Sequence, residues 1–247
     1  MRLNNALRFQ HIYLPVFAGL WLILYLDSST VAQHFEHSQW LANLLSIALY
    51  LWVYRQVTTP VRKMMCYGLP FALVGELFFS IVLGMYTYRL EQVPLYVPFG
   101  HCIVYAAAYY LAKEPWFQQH KQTMVYLLYP LIVIYSTAWL ILADDRFGFL
   151  CLLLILWILY RKPVAAPFFL VMYFVVVFVE LVGTWYQCWH WPPIWFGLFE
   201  QVTSANPPSA ISVVYYGFDA YCLWSYRQYN RQRWRRMRAI QHIRVLR

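Results

Sequence analysis

Residues 164–186 read VAAPFFLVMYFVVVFVELVGTWY, an apolar run in which Glu180 is the one ionisable group besides tyrosine. Roughly twenty such residues suffice to carry a helix across the hydrocarbon core of a bilayer. An acid placed inside that run is costly in lipid and is by default a functional-site hypothesis. Working outward, the pattern recurs along the chain. Eight apolar spans are read at about residues 9–26, 39–55, 66–86, 97–112, 122–142, 147–160, 164–186 and 208–226. Of 247 residues, 62% are hydrophobic and 12% charged, against roughly 25% charged in a soluble domain. The 22 tyrosines and 12 tryptophans suit membrane interfaces. The expected fold is therefore all-α: a polytopic integral membrane bundle of about eight transmembrane helices.

The net charge of +9 is unevenly placed. With these spans, all but two of the 19 lysines and arginines fall on one side, and eight of them lie in residues 227–247. Arg89 and Arg146 are left on the other side, with Asp27, Glu36, Glu91, Asp144, Asp145 and Glu200. Positive charge marks the cytoplasmic side, so both termini are expected there, in a membrane of the bacterial inner (cytoplasmic) type. Residues 227–247 form a basic cytoplasmic tail suited to anionic headgroups. No recognition module accompanies the arginines, so nucleic acid is not an expected partner. The first apolar run lacks a small-residue cleavage site and is kept as a span. Cys66, Cys102, Cys151, Cys188 and Cys222 have no C-x-x-C or metal-ligand spacing and are expected to be buried small hydrophobes.

Two stretches stand out from this scaffold. The first begins at Gly75-Glu76-Leu77 and passes through Gly84-Met85-Tyr86-Thr87-Tyr88-Arg89. It ends at Val93-Pro94-Leu95-Tyr96-Val97-Pro98-Phe99-Gly100-His101. The second carries Glu180, Gly183-Thr184, Trp189-His190-Trp191 and Asn206-Pro207-Pro208-Ser209. In each, an outward-running span with a glutamate is followed by an outer loop and a returning span. Glu76 corresponds to Glu180, Tyr86-x-Tyr88 to Trp189-x-Trp191, and Pro94/Pro98 to Pro207/Pro208. The bundle thus reads as a parallel duplication of two four-helix halves, residues 1–113 and 114–226, of the kind found in several membrane folds. The second outer loop, rich in Trp and Pro, is expected to lie at the interface as a lid, with Asn206-Pro207-Pro208 opening the last helix.

Three carboxylates lie inside spans: Glu76, Glu180 and Asp219. Each is a candidate general acid in a cavity reached from the outer leaflet. Each can equally hydrogen-bond across helices and fix the packing. His101, at the start of the fourth span, is a candidate proton carrier beside Glu76; His190 is a lesser one. Tyr86, Tyr88, Trp189 and Trp191 are candidate pocket walls, whose π faces stabilise cations or pack on polyenes. Arg89 is a candidate headgroup contact, or a partner for Glu91 or Glu200, and Asn206 a further candidate binding residue. No H-x-x-x-H, H-E-x-x-H or Asp-rich pair is present, so no metal is expected. No cofactor is expected either, and neither G-x-S-x-G, a Walker motif nor G-x-G-x-x-G occurs.

Glu76, Gly84, Tyr86, Tyr88, Val93-Pro94-Leu95 and Val97-Pro98, with Trp189 and Trp191 downstream, resemble the membrane-embedded carotenoid hydratase family. The resemblance covers about a quarter of the chain. It implies acid-catalysed addition of water to an isoprenoid double bond. The pattern departs from that family in a shorter glutamate-to-tyrosine gap, in His101, and in Asn206-Pro207-Pro208. The expected function is an intramembrane hydratase- or lyase-type enzyme, or binding protein, for an apolar isoprenoid or lipid. Its partners would be membrane lipids and that apolar small molecule. Two other classes fit the composition: a proton-coupled transporter of a small amphipathic solute, and a non-catalytic membrane assembly subunit.

Overall fold

The computed structural model describes residues 7–195, 198–232 and 234–235, and among these the chain is mostly helical. Helix α1 (Gln10–Leu26) is followed by the short α2 (Ser29–His34), then α3 (Ser38–Gln56) and α4 (Thr59–Glu76). α4 runs on directly into a π-helical segment, Leu77–Val82. Strand β1 (Thr87–Tyr88) leads to α5 (Tyr96–Ala112), α6 (Pro115–Gln119), α7 (Lys121–Ala143) and α8 (Arg146–Arg161). A 3-10 turn, Pro163–Ala165, opens α9 (Ala166–Trp185). Strands β2 (Trp189–His190), β3 (Ile194–Trp195) and β4 (Phe199–Thr203) precede α10 (Ser212–Tyr229).

Local chemistry sets the boundaries. Pro60 lies in the first turn of α4, where a missing N–H costs nothing. Thus α4 begins ahead of the expected residue 66. Asp145 caps α8 by accepting the Gly148 N–H at 3.1 Å. Asp144 ends α7 at φ 49°. The Asn206-Pro207-Pro208 segment does not form the first turn of α10, which starts at Ser212. Instead its backbone is held from outside the helix. Asp145, fully buried, accepts the N–H groups of Ala205 and Ser209 at 3.0 and 2.7 Å. Gly148 is required there, because a Cβ would run into the Asp145 carboxylate and the Ser209 backbone. At the other end of the bundle Glu114, also buried, accepts the N–H groups of Arg8 and Phe9 at 2.7 and 2.6 Å. That places a carboxylate on the orphan donors that begin α1.

The packing has a definite centre. α5 buries Ile103 to Ala108 without a break and touches α1, α3, α4 and α9. The alanines in that run let neighbouring backbones approach closely. α9 is the other buried helix. α7, by contrast, buries only Ile132 and Ser136 and exposes Leu127, Leu131, Ile134, Ile141 and Leu142. A long helix that is apolar outward as well as inward belongs against lipid. Three helical segments, Thr59–Val82, Lys121–Ala143 and Pro163–Trp185, are long and apolar enough to cross a membrane. The chain is thus a helical protein with the features of membrane association. Four of the five cysteines are buried, but Cys66, on α4, is exposed, against expectation. The basic tail expected at residues 227–247 lies outside the described residues beyond position 235.

Candidate functional site

Residues two apart on an extended segment point the same way. That rule builds the site from Tyr86-x-Tyr88 and Trp189-x-Trp191. β1 and β2 pair antiparallel, Thr87 opposite His190 and Tyr88 opposite Trp189, and Arg89 N–H donates to the Cys188 carbonyl at 2.9 Å. The pairing ties the two loops together and turns both aromatic pairs inward. Tyr86 and Tyr88 donate their hydroxyls to Oε2 of Glu76 at 2.7 and 2.5 Å. Trp189 and Trp191 donate their indole N–H groups to Oε2 of Glu180 at 3.0 and 3.2 Å. The rings interlock, with Tyr86 and Trp191 centroids 4.6 Å apart. Trp189 can seat there because Gly183, one turn beyond Glu180, leaves the space its ring occupies.

His101 Nε2 lies 2.6 Å from Oε1 of Glu76. Its ring stacks on Tyr215 at 4.6 Å, and its Nδ1 is buried without a hydrogen-bond partner among the described residues. The two glutamates therefore differ. Both oxygens of Glu76 are taken, by two phenol hydroxyls and the His101 ring nitrogen. On Glu180 one oxygen holds both indoles, while Oε1 makes no hydrogen bond among the described residues. Burial, and then the Glu76 carboxylate beside it, push the Tyr88 phenol well up, which keeps it a donor.

Glu76, Glu180, His101 and all four rings line one cavity of about 450 Å³, whose remaining walls are almost wholly apolar. That volume is within the roughly 300–1,000 Å³ of small-molecule sites. The π-helical segment starts at the residue after Glu76, and such segments are frequent at functional sites.

Three expected site residues lie elsewhere. Asp219 is buried on α10 with neither oxygen partnered among the described residues, and it does not line this cavity. Arg89 pairs with neither Glu91 nor Glu200. Its guanidinium meets the fully buried Asp27 at 2.6 Å and the Asp27 carbonyl at 2.8 Å. Asn206 is a loop strut: Oδ1 accepts the Trp191 N–H at 2.9 Å and Nδ2 lies 3.0 Å from His190 Nδ1.

Asp27 is the residue that sequence reasoning missed. Besides Arg89 it accepts Tyr96 OH at 2.8 Å and Gln39 at 3.1 Å, which fixes the loop that carries Tyr86 and Tyr88. Its signal was an acid placed immediately after an apolar run, with Arg89 as the rare cation on the same side. Tyr215, the shelf under His101, carried no signal of its own.

Among the described residues no three His, Cys, Asp or Glu side chains converge to hold a metal ion. In comparisons with known proteins, no protein family, no curated protein and no solved structure matches this chain.

Proposed function

We propose that the protein is an intramembrane enzyme that binds an apolar isoprenoid or lipid and protonates it at a carbon–carbon double bond, a hydratase- or lyase-type reaction. The observation that carries this reading is the unpartnered Oε1 of Glu180 in an apolar cavity walled by aromatic rings. An indole N–H is a donor only, so Oε2 of Glu180 is an acceptor and Oε1 is the oxygen free to carry a proton.

In this mechanism Glu180 Oε1 gives its proton to one alkene carbon, and the other carbon becomes cationic. The negative charge left on Glu180 is received by the two indole N–H groups already in place. The π faces of Tyr86 and Trp191 stabilise the cation. Water adds to it, and the proton lost from that water passes to the His101–Glu76 pair and back to Glu180, so the enzyme is regenerated. The reverse sequence is the lyase reaction.

We further read the helices as eight membrane spans in two parallel four-helix halves, with both termini cytoplasmic. Matched features support this. Each half has a buried aspartate just after its first long helix, Asp27 or Asp145, that holds the loop between its third and fourth. Each has a glutamate that receives two donors from residues two apart in that loop.

Mass spectrometry of an organic extract of the gently purified protein tests the function. One enriched isoprenoid or lipid, turned over by wild type and not by Glu180→Gln, is the expected result. Bulk phospholipid alone counts against it. Asp219 favours a second reading, proton-coupled transport, because a buried acid without a partner suits a proton relay. Solute flux that collapses with an uncoupler would support that reading instead.

A further inference from the structure

A Cβ placed on each of the glycines among the described residues divides them into groups. At Gly19, Gly68, Gly148 and Gly183 it would strike a neighbouring atom, so packing accounts for them. Gly84 has φ 59°, a conformation suited to glycine. At Gly75, Gly100 and Gly217 a Cβ would meet nothing within 4 Å, and the backbone is not left-handed. These three lie within α4, α5 and α10, where glycine is less stable than alanine. All three line the cavity that holds Glu76 and Glu180. Neither packing nor backbone geometry explains them. The space they leave empty does.

Gly75 and Gly217 occupy the same level of the α4–α10 seam. Phe71 and Tyr221 stack across that seam at 3.8 Å with an interplanar angle of 11°. Phe71 precedes Gly75 by four residues and Tyr221 follows Gly217 by four, so each glycine lies one turn from the stack. α4 runs towards the outer loops and α10 away from them, so both glycines lie on the same, outer side of it. Gly217 is exposed, on a side of α10 that also exposes Ala220 and Trp224. The seam is thus closed by two rings at one level, and at the next, where the cavity lies, no atom comes within 4 Å of where a Cβ on Gly75 or Gly217 would sit. Into that cavity projects Glu180, 6% exposed, with Oε1 unpartnered among the described residues.

We propose that the Gly75–Gly217 gap is a lateral portal between α4 and α10. Through it one end of a long-chain apolar lipid reaches the Glu180 carboxyl while the rest of the chain stays outside, between the portal and the bilayer. This rests on the acid-catalytic reading above. A cavity of about 450 Å³ is too small to enclose the whole of a long lipid, so part of its length lies elsewhere, and the gap at the two glycines lets it do so.

The test uses the full-length protein in lipid nanodiscs, equilibrated with deuterated squalene (long) or deuterated geraniol (short), with bound ligand counted by mass spectrometry. Gly75→Leu and Gly217→Leu are expected to cut squalene retention at least about tenfold and geraniol retention much less, a loss the cavity-lining position of both glycines allows. Gly217→Ala is expected to melt at or above the wild-type temperature and to retain an intermediate amount of squalene, which reads out the gap in a protein that folds. Squalene held at wild-type levels by the alanine and leucine variants overturns the portal. So does an equal loss of both ligands, since the glycines would then shape the pocket and not its entrance. Failure of the underlying reading looks different: wild type retains neither compound, and the portal falls with it.

Discussion

Glu76 and Glu180 sit in one cavity with opposite hydrogen-bond states, and that difference assigns their roles. Glu76 is committed to Tyr86, Tyr88 and His101, whereas one oxygen of Glu180 has no partner among the described residues. Glutamine preserves the shape of Glu180 and a carbonyl for the indoles but cannot deliver the proton. Glu180→Gln is therefore expected to fold, and to lower turnover by about 10²–10⁴-fold, as measured by product formed in membranes with matched protein levels. The buried aspartate that missed notice makes a second prediction. Asp27 is fully buried and the Arg89 side chain only 14% exposed. Asp27→Ala leaves that guanidinium without its partner and should cost about 3–5 kcal/mol. Asp144 and Arg146 are more than half exposed, so Asp144→Asn, which removes the charge and keeps a residue suited to φ 49°, should cost far less. Thermal unfolding in detergent, run side by side, checks the contrast; equal losses would contradict it.

At the scale of elements, the site depends on two extended segments brought edge to edge. Alternation along β1 and β2 turns Tyr86, Tyr88, Trp189 and Trp191 to one side, and Gly183 on α9 leaves room for the Trp189 ring. Gly183→Ala is expected to unseat that ring, with a stability loss of about 1–3 kcal/mol. Tryptophan emission should shift as the indole leaves Glu180. An unchanged spectrum would show that Trp189 is held by something else. Much of this was legible beforehand. The two-residue spacing of each aromatic pair, its distance behind a glutamate, and the repetition of both are sequence facts. That the pairs meet was not legible, because strand pairing between distant loops leaves no local periodicity. The ion pair of Arg89 was missed for the same reason: its partner Asp27 is sixty-two residues away in sequence, and nothing local set it apart from Glu91 or Glu200.

For the whole molecule, the arrangement of the helices in the bilayer is directly testable. Three segments qualify as spans by length and composition, and the eight-span reading adds the others through the charge asymmetry of their connections. With Cys66, the exposed native thiol, replaced by serine, Gln92→Cys and Lys162→Cys supply exposed thiols that the eight-span reading puts on opposite sides. In intact cells an impermeant maleimide is expected to label position 92 and to reach 162 only after the membrane is opened. Labelling of both in intact cells would overturn the topology.

The sequence by itself determined the helical class, the membrane association, and the set of unusual acids and aromatics. Hydropathy, spacing and charge act locally or add along the chain, and so can be read without coordinates. Only the tertiary structure decided which acids share a cavity, which oxygen of Glu180 lacks a partner among the described residues, that Asp219 stands apart, and that a Cβ on three glycines would meet nothing. Those are properties of groups that meet across α4, α5, α9 and α10, and a carboxylate's role is set by the donors that surround it, which the order of residues does not specify.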